Sequence, residues 1–496
     1  MGALQNRPQP SRPGKQRVCI VGGGVAGMAC AWSLSRFPDR FDVEVWEELA
    51  QAGGVASSCA IDGGEEINDQ VQGGAPSYRN NLLFFKEFGF EPHEVQLRIA
   101  FGSGGSAWTN HSDSALVRRL APEIARFGRV LRWVHRLEPL FIFVPINALL
   151  RLCGFSADFR NEMVFPLTAL FFGTGNQTPN VSAAVISRVF LDPQLRLFQY
   201  SPTRLLDSVP TMFAFPKLSE VFGTIASRIP ATVRTGMRVE RVERDSSGVA
   251  VAAADGSVCR FDQLVFACGA EEARRMLGAD ASRLESRLLG NVRYFNDLIV
   301  THEDEGYMRS HYELRLEQGD MYFVRTDPAD REKIEMSFNL TCYQPHLQGR
   351  RNIYQSIFLD DSQRRSWTVD AIDKAKVLKT RMTRQFAHTW RHFATWVPFV
   401  SLLQGRRRTW FAGAYTLFNT HEIATMSGLA VADRLGAPYP FPHDKLAAQQ
   451  FDTYLRIAHG PFARRAKQPA AAAAAKAHVT LESSGAAATA ADAKTD

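Results

Sequence analysis

The sequence predicts an α/β fold, α+β over the whole chain: a parallel-sheet domain built from separated stretches and interleaved with a second domain of mixed sheet and helices. Three observations predict it. An apolar run at 17–21 leads through a glycine-rich loop into a helix ending near Arg36 and then a second strand at 41–46, a β-α-β unit. Runs at 231–245, 249–254 and 261–270 read as strands that bring the chain back to a sheet. A last strand at 409–412 ends in Gly413 and opens, after 419, into another helix.

Bulk properties narrow the function classes. The 496 residues are 45% hydrophobic and 22% charged, the balance of a folded protein with a large core. Lys and Arg exceed Asp and Glu by a net +7, but they are scattered, with short clusters such as Arg406, Arg407 and Arg408; a nucleic-acid arm is not expected. The modest positive field favours anionic partners. Seven cysteines, an odd number with no C-x-x-C pair and no His/Cys ligand spacing, argue against zinc, any other metal and a disulfide framework, and suit a reducing, cytoplasmic compartment. Residues 1–16 are polar and lack the apolar core of a signal peptide. The longest apolar stretch, 139–155, carries Pro145, Asn147 and Arg151 and is short for a bilayer span, so it reads as a buried or interfacial helix that allows peripheral membrane contact.

The strongest motif is Gly22-x-Gly24-x-x-Gly27 between the first strand and first helix. In a Rossmann-like dinucleotide-binding unit the first glycine makes a tight turn, the second lets pyrophosphate approach the backbone, and the third lets helix and strand pack closely. Val25 and Ala26 open the helix, whose N-terminal N–H groups and dipole favour phosphate. Glu47, twenty residues beyond Gly27 at the end of the second strand, is placed to accept ribose hydroxyls, with Glu48 beside it. A glycine turn can be purely structural and a surface acid unremarkable; the shared register favours the ligand reading.

Gly53, Gly54 and Val55 follow, then Gly73, Gly74 and Ala75. Near the other end, Gly413 and Ala414 precede 419–428, Asn-Thr-His-Glu-Ile-Ala-Thr-Met-Ser-Gly, with Asn419 or Thr420 as helix cap. This arrangement resembles the flavin-containing amine oxidase and phytoene desaturase superfamily. The resemblance implies noncovalent FAD, held by the glycine loop, Glu47, the Gly53-Gly54 pair, Val239, Cys268, Gly269, Gly413 and Ala414. It also implies that a helix starting at His421, Glu422 and Ile423 points at the flavin pyrimidine. Val55 stands where relatives commonly carry arginine, and Ala414 where they often carry an acid. His421 is the nominated catalytic residue; its competing reading is a capped helix start. The segments 68–78, 165–173 and 419–428 are similar to predicted NAD/FAD-binding proteins associated with cyclopropane fatty acid synthases and, more distantly, to FAD-dependent polyunsaturated fatty acid isomerases.

The expected domain plan is an extension at 1–16; an FAD-binding domain from 17–76, 210–285 and 405–440; a substrate domain from 77–209, mainly helical, and 286–404, including a long helix at 370–396; a C-terminal helix at 441–464; and an alanine-rich tail at 465–496. The 34 phenylalanines, many in the middle region, suit a long apolar small-molecule substrate, although core packing accounts for most of them. Three function classes follow: an oxidoreductase taking hydride from an activated C–H of a fatty-acyl or isoprenoid-like molecule, with desaturation or double-bond isomerisation as outcome; a flavin amine oxidase; and a noncatalytic flavin-binding interaction protein. A serine hydrolase is disfavoured, because no G-x-S-x-G elbow occurs.

Overall fold

Buried β-branched residues and cysteine form the first strand, β1 (Gln16–Val21), in which Val18, Cys19 and Ile20 are wholly enclosed. Helix α1 (Val25–Ser35) follows, buried on every side, and then β2 (Phe41–Trp46). Much later come β3 (Thr232–Arg234), β4 (Gln263–Phe266), β5 (Thr409–Phe411) and helix α2 (His421–Leu435). The five strands form one parallel sheet in the order β3-β2-β1-β4-β5. The order reverses between β1 and β4, and in such open sheets ligands bind in the crevice beyond the strand ends at that point. These features come from a computed structural model that describes residues 14–194, 198–314, 319–327, 329–331 and 333–467. Most of the extension expected at 1–16 and of the tail at 465–496 lies outside the described residues.

Helices α1 and α2 touch backbone to backbone. A Cβ on Gly428 would sit 2.0 Å from the Ala26 carbonyl oxygen, so only glycine permits this crossing. The approach brings the start of α2 beside the glycine loop that starts α1.

The second sheet has seven strands, in spatial order Val377–Phe386, Tyr294–His302, Tyr354–Phe358, Ile334–Asn339, Tyr322–Thr326, Ile99–Phe101 and Trp108–Thr109. Two expectations are corrected here. The helix expected at 370–396 is instead two 3-10 turns, the ten-residue strand Val377–Phe386 and the short helix Trp390–Thr395. The strand alternates exposed and half-buried positions, but both faces are polar, so the apolar period that marks most strands is missing. The mainly helical 77–209 also contains strands: His93–Gln96 pairs with Thr211–Ala214, and Ile99–Phe101 joins the second sheet.

The apolar stretch at 139–155 folds as two short helices, Glu138–Phe141 and Ile146–Leu152, because Pro145 cannot continue the ladder. Among the described residues no helix is long and apolar enough to cross a membrane.

Candidate dinucleotide and substrate cavity

A cavity of about 650 Å³ starts at the glycine loop and runs to the second sheet. Its first half is built by the loop between β1 and α1. Gly22 has φ +108°, and a Cβ there would lie 2.7 Å from the Ala267 carbonyl oxygen. A Cβ on Gly27 would lie 2.0 Å from the Gly22 oxygen, the close helix–strand contact the motif requires. Gly24 differs: a Cβ there would meet only the Gly53 oxygen, at 4.0 Å, and the residue lines the cavity. Gly24 is also the N-cap of α1 and supplies no side-chain partner to the first-turn N–H groups, leaving these donors for a ligand.

Glu47 is fixed before any ligand arrives. Its Oε2 accepts from the Gly23 N–H at 2.6 Å and its Oε1 from the Leu49 N–H at 2.8 Å. Burial pushes its carboxyl up, while these N–H groups pull it down. Two lone pairs remain for hydroxyl donors. The Gly53 N–H donates to the Gly23 oxygen at 2.9 Å, and both Gly53 and Gly54 have positive φ, so this pair is stitched onto the glycine loop. Val25, Ala26, Glu48, Val55, Gly73, Val239, Cys268, Gly269, Gly413 and Ala414 complete this half. The Gly413 N–H is held by Ser427 Oγ on α2 at 2.7 Å.

Thr420 caps α2, accepting from the Ile423 N–H at 3.2 Å. His421 reaches the cavity, but its ring packs among Phe85, Phe215 and Phe222, and neither ring nitrogen has a protein partner. Burial holds its pKa down at about 3, so at neutral pH the imidazole is uncharged.

Glu422 is turned away from the cavity. Its Oε1 accepts from the Asn80 N–H at 2.9 Å and Asn80 Nδ2 at 2.7 Å, and its Oε2 from the Asn81 N–H at 2.8 Å. It thereby caps the helix Arg79–Lys86, whose own cap residue, Tyr78, has no side-chain bond to give. Ile423, Gly27, Gly74 and Ala75 are likewise absent from the cavity wall. The Ile423 N–H serves the cap, Gly27 packs α1 on β1, Gly74 lies against the Tyr78 ring and Ala75 is buried.

The other half is framed by the second sheet and by Phe171, Phe172 and Gly173 at the end of helix Phe165–Phe172. Strand register places Arg381, Ile299, Ile357 and Met336 in one row across the sheet, all lining the cavity. Arg381 donates to Asp69 Oδ2 at 2.7 Å. Sequence reading missed Arg381 because a lone arginine in a polar run carries no motif; only the register exposes it.

It also missed Asp297, a buried lining residue whose Oδ1 accepts from the Asp360 N–H at 2.8 Å. Burial, reinforced by Asp360 and Asp361, pushes its carboxyl from 3.8 up to about 7. Folded Asp297 therefore keeps a proton that the unfolded chain loses, and its contribution to stability, full below about pH 4, is lost as pH rises to about 7. Asp297→Asn keeps an acceptor for Asp360 and has no proton to lose. The expected result is a melting-temperature advantage over wild type that grows across that window, worth at most about 1.4 kcal/mol per pH unit, and is flat above it. An offset independent of pH would show that Asp297 is ionised throughout.

Among the described residues no cluster of His, Cys, Asp or Glu could hold a metal ion.

Residues 20–87 match the NAD(P)-binding Rossmann-like domain family. A search of curated protein sequences gave no significant match. Solved structures share the fold over most of the chain. A CLA-producing fatty acid isomerase from P. acnes superposes with TM-score 0.59 at 17% identity, covering 83% of this chain and 97% of that one. Putrescine oxidase bound to putrescine gives 0.58 at 14%, covering 85% and 99%. A protein of Exiguobacterium sp. 255-15 assigned as a protoporphyrinogen oxidase gives 0.59 at 13%, covering 85% and 98%. At these identities the likeness establishes a shared fold.

Proposed function

We propose that this chain, whose fold is that of the flavin amine oxidase and phytoene desaturase superfamily, binds FAD noncovalently and oxidises or isomerises a long apolar molecule with an anionic end. The donor set fits the cofactor: uncapped first-turn N–H groups and an open Gly24 suit a pyrophosphate, and a preoriented Glu47 suits a ribose. When bound, FAD supplies a two-electron acceptor for hydride from an activated C–H.

The chain's residues account for the rest. Phe171, Phe172, Phe338 and Ile357 give the substrate half an apolar wall that excludes water. Arg381 ends the cross-sheet row; ion-paired with Asp69 through Nη1, it offers its remaining N–H donors to a carboxylate. Asp297 binds the Asp360 N–H through Oδ1, and burial pushes its carboxyl up to about 7, leaving Oδ2 to hold or release a proton near neutral pH.

The observation that carries this reading is one continuous cavity joining the nucleotide loop to an apolar row that terminates in Arg381. Asp297 favours a second reading, amine oxidation, since an ionised acid in the cavity would attract an ammonium group. The test is an anaerobic titration of the flavin-loaded protein, followed by its absorption bands. A polyunsaturated fatty acid is expected to perturb or bleach the flavin, or to be recovered with shifted double bonds, while simple amines do nothing. Rapid bleaching by amines with no response to fatty acids would replace the first reading by the second. Silence to both, with FAD fully bound, would favour the noncatalytic class.

A further inference from the structure

Twelve large apolar residues are exposed among those described, and five of them, Trp133, Leu137, Leu140, Phe143 and Leu152, fall between 133 and 152. The first four fall within eleven residues of chain, 133–143. The helix Ala115–Arg136 ends at Leu137, which leaves helical geometry at φ −113°, ψ 28°, and the short helix Glu138–Phe141 follows in a new direction. Trp133 stands in the last turn of the first helix, Leu140 on the second and Phe143 in the turn after it, so the four form an exposed apolar stripe along the chain at this bend. The core face of the same helix includes Leu120, Ile124, Phe127 and Leu131, and the Trp133 ring, though 46% exposed, rests edge-on against Phe141.

Charge identifies what covers it. Residues 115–154 contain seven arginines and two acids, Glu123 and Glu138. Both acids are engaged: Glu123 binds Ser156, and Glu138 pairs with Arg188 at 2.7 Å. Arg129, Arg132 and Arg136 are exposed and form no ion pair among the described residues. Arg132 and Arg136 directly precede Trp133 and Leu137, so the arginines run along the edge of the apolar stripe. Leu152, 84% exposed, and exposed Arg151 repeat the pairing on the next helix.

We propose that this face docks on an anionic lipid bilayer, with Trp133, Leu137, Leu140 and Phe143 entering the interface and Arg129, Arg132 and Arg136 lying among acidic headgroups. An apolar stripe edged by arginine is the pattern of a helix lying in a membrane surface, and an acidic bilayer satisfies both its parts. A protein groove would satisfy the stripe alone. The proposal is independent of the cofactor and of the substrate.

The test is sedimentation of the flavin-loaded full chain with phosphatidylcholine vesicles containing about one-third phosphatidylglycerol, and with pure phosphatidylcholine. Wild type is expected to pellet with the acidic vesicles and far less with the neutral ones. Both L140S/F143S and R132E/R136E should weaken binding about tenfold or more, because each removes one of the two attractions. All four side chains are exposed, so folding is expected to survive; bound flavin and circular dichroism check this. Wild type remaining in the supernatant, or variants binding as tightly as wild type, would overturn the proposal. Conversion of a wild-type dimer to a monomer by L140S/F143S, without vesicle binding by either, would also overturn it and assign the face to a second copy of the chain.

Discussion

Gly24→Val is expected to yield a folded, colourless protein. Backbone conformation does not oppose the substitution, since Gly24 has φ −68° and ψ 177°, values open to any residue. Neighbours do not oppose it either, because a Cβ there would find no contact closer than the Gly53 oxygen at 4.0 Å. The added methyl groups enter the cavity at the start of α1, where a pyrophosphate must approach the unpaired N–H groups. Displacing it should weaken FAD binding by two orders of magnitude or more, about 3 kcal/mol. Gly27→Ala provides the contrast. Its Cβ would lie 2.0 Å from the Gly22 oxygen, so that variant should lose stability as well as cofactor. Flavin content after purification, read beside the thermal melt of the protein stripped of cofactor, separates the two effects. Gly24→Val retaining wild-type yellow colour would place phosphate binding elsewhere.

The second large effect is expected at Glu422. Burial pushes its carboxyl up to about 7 against the pull of three N–H donors from Asn80 and Asn81. Glu422→Ala leaves those donors buried without an acceptor and uncaps the helix Arg79–Lys86, a destabilisation of about 3–5 kcal/mol. Glu422→Gln keeps an acceptor and should recover part of the loss. Urea midpoints measure both. If Glu422→Ala were as stable as wild type but had lost its flavin, Glu422 would face the cofactor, as its place in the first turn of α2 suggests from sequence alone.

These two residues mark where the sequence was legible and where it was not. The positions of Gly22, Gly24, Gly27 and Glu47 were readable because their geometry is local: a turn, a helix start and the end of the neighbouring strand fix it within about thirty residues. The start of α2 was readable too, since Thr420 and Gly436 bracket it with ordinary capping chemistry. Glu422 was misread because its partners lie some 340 residues away, in a helix whose missing cap leaves no trace in the sequence. His421 was placed at the cavity, but the three phenylalanines that desolvate it come from distant segments, and they decide its protonation. The strand Val377–Phe386 was hidden by its own polarity. Its cavity-facing residues, Arg381, Thr383 and Gln385, are polar, so Lys, Arg, Met and Gln in this segment read as helix formers. Arg381 was lost with it.

The most direct measurement is of the cofactor carried by the purified full chain. The protein is denatured, the released small molecule is identified by chromatography and mass, and its amount is compared with that of protein. The expected result is a flavin absorption spectrum in the native state, with release of about one FAD per chain without proteolysis, as hydrogen bonds and the dipole of α1 would hold the cofactor noncovalently. A colourless protein that gains no flavin absorbance on incubation with FAD, or one that binds NAD(P) in its place, would contradict it.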